Sequence, residues 1–139
     1  MAKLKNAKDV LKTYQDSEYM NQEQQDFFKL KLEQDKVDLI DRIQSVRTEI
    51  TNLQSNQSDD NDNATMDELV NRNLSLVQRQ TKLLHKIEQA LDRLATGEYG
   101  YCEKTGEPIG IPRLLARPTS SLSIEAKEHQ EILEKRDEQ

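Results

Sequence analysis

All four glycines and all three prolines of this 139-residue chain fall between residues 97 and 118. Everything before residue 97 lacks the two strongest helix breakers, so no local feature stops long helices from forming there. The chain divides into a helical part and a shorter, turn-rich compact part.

Within the helical part, Leu32, Leu39, Ile43, Val46, Ile50 and Leu53 recur at steps of seven, four, three, four and three, which is a heptad seam. Leu69, Leu76, Leu83, Ile87, Ala90 and Leu94 read as a second seam. Residues 55–65, SNQSDDNDNAT, separate the two. A link of about ten residues favours an antiparallel pair, because a parallel return needs a connection as long as the helix itself. Thr65 and Glu68 read as a capping box opening the second helix, and Gly97 as the left-handed residue that closes it. Arms of about 30 residues would each rise roughly 45 Å.

Ahead of the arms, Leu4, Ala7, Val10, Leu11 and Tyr14 predict a short amphipathic helix over 1–16. Behind the compact part, residues 122–135 predict a last helix that packs back on it. The expected fold is all-α. An N-terminal segment, 1–20, joins the base; a long antiparallel coiled-coil hairpin spans 21–96 with its tip at 55–65; a small compact region with a terminal helix spans 97–139.

Composition narrows the partners. A hydrophobic content of 34% with no Trp provides little material for a large core and suits an elongated helical form. The net charge of -6 disfavours a nucleic-acid binder, which would present a dense basic face, so a protein partner is expected. No apolar run approaches the roughly 20 residues that span a bilayer, and the N-terminus lacks the apolar segment of a signal peptide. With Cys102 as its one cysteine, the chain reads as a soluble cytoplasmic protein without an internal disulfide.

In the compact part, Cys102-x-x-Thr105, 17 intervening residues and Ser123-x-x-Ala126 reproduce the spacing of a four-cysteine zinc module with three thiolates replaced. Hydroxyls and a methyl cannot stand in for thiolates, so no zinc is expected. Packing of Tyr99, Tyr101, Ile109, Ile111, Leu114, Leu115, Leu122 and Ile124 has to supply that stability instead. Cys102 has no resolving cysteine and reads as structural, and His85 and His129 show no ligand geometry.

The stretches GEYGYCEKTGEPIG and RLLARPTSSLSIEAK, together with Glu18-Tyr19-Met20-Asn21, resemble the DksA family of bacterial factors that bind RNA polymerase and regulate initiation with the alarmone ppGpp. The Cys-Thr-Ser-Ala set resembles the members that have lost cysteines and work without zinc. The resemblance implies a coiled coil inserted through the polymerase secondary channel. It assigns the tip pattern Asp-x-x-Asp-x-Ala to Asp59, Asp62 and Ala64, and a polymerase contact on the second helix to Arg79. It also implies a ppGpp site at the base of the hairpin, formed by Leu83, Lys86, Arg117 and Lys127. The implied protein is a monomeric regulator that represses stable-RNA promoters, activates amino-acid biosynthesis promoters and does not bind DNA directly.

An enzymatic role is not expected. No His or Cys accompanies the tip aspartates, the EF-hand glycine and distal Glu are missing, and an exposed tip offers no pocket to shift a pKa. Two alternatives stay open: a coiled-coil adaptor or chaperone-like protein, and a transcript-cleavage factor that uses an acidic tip in the same channel.

Overall fold

The computed structural model of the chain describes residue 6 and residues 8–11, 18–55 and 63–137. From residue 18 on, the described residues form α1 (Gln22–Ser55), α2 (Asn63–Thr96), α3 (Ile111–Ala116) and α4 (Ile124–Asp137). The described part of the N-terminal segment is helical over 8–11, where the Asn6 side chain accepts a hydrogen bond from the Asp9 N–H at 2.9 Å and Val10 is fully buried. The chain forms two compact units, one of Met1–Glu33 with Gln89–Gln139 and one of Gln34–Glu88.

In the second unit α1 and α2 pair as an antiparallel coiled coil. On α1 the expected seam is buried or half-buried throughout, at Leu39, Ile43, Val46, Ile50 and Leu53. On α2 the expected seam holds at Ile87 and Ala90, which are buried, and at Leu76 and Leu94, which are half-buried. Leu69 and Leu83, expected inside, are 37% and 43% exposed, whereas the neighbouring Val70 is buried and Leu84 half-buried, so there the register is one residue over. The heptad that explains this pattern is 70, 73, 77, 80, 84 and 87, and it carries Asn73 and Gln80 in the seam. Those polar residues hide the register from a reader who follows leucines. Gln80 Oε1 is shut away from solvent with no hydrogen-bond partner among the described residues.

Helix ends follow capping chemistry, though not always at the expected place. α1 opens with Asn21, whose Oδ1 accepts from the Gln24 N–H at 2.9 Å, while Gln24 Oε1 reaches back to the Met20 N–H at 2.8 Å. α2 begins at Asn63, so Thr65 and Glu68 lie inside its first turns and do not form the expected box. Its far end is as expected. Gly97 has φ 82, the Glu98 N–H bonds Arg93 O at 2.9 Å and the Gly97 N–H bonds Leu94 O at 3.4 Å, a Schellman closure.

The first unit is organised around Gly100. Its carbonyl accepts from the Tyr19 hydroxyl at 2.6 Å and from the Ile109 N–H at 2.7 Å, and the same hydroxyl accepts from the Gly110 N–H at 2.9 Å. Tyr101 meets Tyr19 edge-on with ring centroids 5.5 Å apart, and Tyr99 tilts against Phe28 at 5.6 Å. Phe28, Leu32, Ile111 and Leu114 are fully buried beside them. Arg93 ties the loop after α2 to the helix by an ion pair with Glu103 and a hydrogen bond to Tyr101 O at 2.6 Å. Two expectations fail here. Ile124 is 56% exposed, and no residue of α4 is buried, because its apolar residues Ile124, Ala126, Ile132 and Leu133 never make a continuous stripe.

A Cβ on Gly100 would lie 2.7 Å from both Cγ and Sδ of Met20, and φ is 91. Gly100→Ala therefore combines a left-handed backbone penalty with overpacking and should lower the unfolding free energy by about 2–4 kcal/mol. Gly97→Ala, with nothing within 4 Å of the new methyl, should cost only about 1 kcal/mol. Gln80→Leu should add about 1 kcal/mol by removing a buried carbonyl that has no partner. Urea unfolding midpoints of the three variants check the order.

Candidate functional site

The expected site has three parts. Of the tip residues, Asp59 and Asp62 lie outside the described residues. Ala64 is the second residue of α2 and is exposed.

On α2, steps of four and three place Arg79, Leu83 and Lys86 on one face, and all three are exposed. Arg117 and Lys127 belong to the other unit. Arg117 closes α3 through its N–H to Arg113 O at 2.8 Å and leaves its side chain exposed. Lys127 stands half-buried in the first turn of α4. Arg79, Lys86, Arg117 and Lys127 have no ion-pair partner among the described residues, and each can meet an external anion. Arg93 is the opposite case, because its guanidinium is consumed by Glu103, Glu98 O and Tyr101 O. The sequence-based expectations omit Arg72 and Lys82, both exposed on α2. A signal for them exists, since residues 70–87 contain four Lys and Arg and no Asp or Glu in a chain of net charge -6.

The third part is the position of the missing zinc ligands. Cys102 is buried in a turn closed by its own N–H to Glu107 O at 2.8 Å and by the Gly106 N–H to Cys102 O at 2.9 Å. Burial pushes its thiol up, but hydrogen bonds from the Thr105 hydroxyl and from the backbone N–H groups of Ser123, Thr105 and Lys104 outweigh this and draw it down to about 6. Ser123 has changed employment: its Oγ accepts from the Ala126 N–H at 3.2 Å and caps α4. Only one of the four positions offers a thiolate, and that sulfur is met by N–H and O–H donors. This donor set does not fit zinc. Among the described residues no three His, Cys, Asp or Glu side chains are grouped to hold a metal, and His85 and His129 are exposed. No helix among the described residues is long and apolar enough to cross a membrane.

Residues 24–94 match the family model described as DnaK suppressor protein DksA, N-terminal domain, and residues 97–136 match that of the prokaryotic dksA/traR C4-type zinc finger. The chain is similar to the RNA polymerase-binding transcription factor DksA of Caulobacter vibrioides, with 40% identity over 121 residues, 87% of this chain and 85% of that protein. It is similar to the factor of the same name from Escherichia coli, with 38% identity over 118 residues, 85% of this chain and 78% of that protein. Among solved structures it resembles transcription factor DksA2 from Pseudomonas aeruginosa at a TM-score of 0.78 and 48% identity, covering 84% of this chain and 90% of that one. The four-cysteine description of the second family is where this chain departs, at Thr105, Ser123 and Ala126.

The thiol offers a direct check on the rebuilt turn. A group whose folded pKa of about 6 lies below its ordinary 9.0 contributes stability that is complete above the ordinary value and is lost as pH falls through the folded one. Compared with Cys102→Ser, the intact chain should gain thermal stability between about pH 6 and pH 9, and Thr105→Val should move the thiolate absorbance titration upward.

Proposed function

This chain belongs to the DksA family, and we propose that it binds RNA polymerase and regulates the initiation of transcription. The observation that carries this reading is the 38% identity or more that runs with relatives named as RNA polymerase-binding factors over 85% or more of this chain. The action is non-enzymatic and takes place in the cytoplasm, with the chain as a monomer and without direct contact to DNA.

In this reading the hairpin enters the polymerase secondary channel tip first. Asp59 and Asp62 bring carboxylates near the catalytic magnesium ion or the mobile basic elements around it, where low-dielectric surroundings strengthen each charge. Ala64, with only a methyl group, permits close approach of the tip. Arg79 contacts the polymerase from the second helix. The effector ppGpp is held by Leu83, Lys86, Arg117 and Lys127, with Arg117 offering a bidentate fork to a phosphate and the lysines acting as point charges. The exposed or half-buried state of these cations and their lack of ion-pair partners among the described residues support that assignment. Stable-RNA promoters are repressed and amino-acid biosynthesis promoters activated. The protein performs this without zinc, supported by the single thiolate at the four ligand positions.

Reconstituted transcription from a stable-RNA promoter, with and without ppGpp, tests the reading. The intact chain should repress, and ppGpp should deepen repression. Asp59→Asn and Asp62→Asn should abolish repression while polymerase binding is retained. Arg117→Ala should weaken the ppGpp response about tenfold, as expected for loss of a charge-assisted hydrogen bond of about 1.5–3 kcal/mol. Full repression by Asp62→Asn would favour an adaptor role, and stoichiometric zinc in protein purified without chelators would remove the zinc-free part.

A further inference from the structure

Apolar residues come in adjacent pairs along α2, at Leu69-Val70, Leu76-Val77, Leu83-Leu84 and Ala90-Leu91, each pair seven residues after the one before. With positions 73, 80, 87 and 94 between and after them, either member of each pair completes a heptad. One helix therefore carries two full seams, which share every second position and otherwise differ by one residue, about 100° around the axis.

Both seams are in use. At the base the first member of a pair, Ala90, is buried. At the next pair the order reverses, with Leu84 half-buried and Leu83 exposed, and at the far end Val70 is buried and Leu69 exposed. Leu76 and Val77 between them are both half-buried. The register thus crosses over between Leu84 and Ala90, around Ile87, which is buried and belongs to both seams.

Between residues 69 and 84 neither seam has a large advantage. The first offers leucine at all three pairs, which buries one methylene more than valine, while the second offers β-branched valine at two, which loses less rotamer freedom. A polar residue in a seam fixes the register when it bonds to its counterpart. Gln80 stands in both seams and does not do so, because its Oε1 is shut away from solvent with no hydrogen-bond partner among the described residues.

We propose that residues 69–84 of α2 are a two-state element. In the second state the register of Ala90 extends toward the tip by rotation of the helix, taking Leu69, Leu76 and Leu83 into the seam and releasing Val70, Val77 and Leu84. Packed interfaces move between discrete arrangements instead of deforming continuously, and helix register shifts run in microseconds to milliseconds. Rotation withdraws Leu83 and turns Arg79 by about 100°, which dismantles the face shared by Arg79, Leu83 and Lys86. That consequence rests on the polymerase reading, whereas the two registers stand on the helix alone.

Relaxation dispersion on the full-length chain, with its leucine and valine methyl groups labelled, reads the exchange without any partner. Leu69, Val70, Leu83 and Leu84 should share one exchange rate and one minor population, while Leu32 and Leu114, fully buried elsewhere, should show none. Leu69→Gln places an amide where the second state needs an apolar residue and should cut the minor population about tenfold or more. Val70→Gln combined with Leu84→Gln should invert the populations, so that hydroxyl-radical footprinting finds Leu69 and Leu83 protected at unchanged helix content by circular dichroism. No exchange at the four methyl-bearing residues, or exchange that Leu69→Gln leaves unaltered, overturns the two states. A double variant that loses helix content, or keeps Leu69 and Leu83 as reactive as in the intact chain, shows that one seam alone is viable and overturns them equally. None of these outcomes touches the polymerase reading, which transcription assays test separately.

Discussion

A helix in a two-stranded pair can bury only one face, and the choice made by α2 determines what the hairpin shows to a partner. Two apolar rows run along this helix one residue apart, Leu69, Leu76 and Leu83 beside Val70, Val77 and Leu84. Both are compatible with a seam that includes positions 73, 80 and 87. The pairing buries Val70 and leaves Leu69 and Leu83 37% and 43% exposed, while Leu76, Val77 and Leu84 are all half-buried. Rotation of the helix by one residue would hide Leu69 and Leu83 and turn the neighbouring cations toward the seam. Leu69 and Leu83 are thus more exposed than Val70 and Leu84 beside them.

The first unit meets a different constraint. Its relatives are described by a four-cysteine zinc finger, and a structural zinc contributes on the order of 10 kcal/mol to a small fold. Here the loops are held by close contact. The turn at Tyr19 and Met20 rests on Gly100, the Tyr19 hydroxyl bridges Gly100 and Gly110, and Tyr99 lies against Phe28 with its hydroxyl donating to Pro118 O at 2.7 Å. Burial pushes the Tyr99 hydroxyl up, with Tyr19 adding to the effect and Arg93 opposing it, so it stays a donor at any ordinary pH. At the former ligand positions Cys102 is surrounded by hydrogen-bond donors and Ser123 caps a helix.

Much of this was legible in the sequence. The confinement of Gly and Pro to residues 97–118 gave two helices of 34 residues each, and Gly97 closes the second as its left-handed preference requires. The α1 seam was legible because its apolar residues, apart from Leu39 beside Ile40, stand singly. The α2 seam was not, since adjacent apolar pairs leave the register open and Asn73 and Gln80 occupy places where a reader looks for leucine. The box expected at Thr65 does not form, while at the start of α1 Asn21 caps the Gln24 N–H and Gln24 reaches back to the Met20 N–H, with amides in place of hydroxyl and acid. Of the candidate site, Arg79, Leu83 and Lys86 rest on the family resemblance, and helical spacing adds only that they share one face. The parts played by Tyr19 and Arg93 depend on contacts across distant segments, which no local pattern encodes.

Hydroxyl-radical footprinting at Leu69 and Val70 tests the central claim most directly, because these neighbours sit about 100° apart around α2, one on the flank and one in the seam. The account predicts that in the free chain Leu69 is modified and Val70 protected. Modification of Val70 in place of Leu69 in the free chain would contradict it.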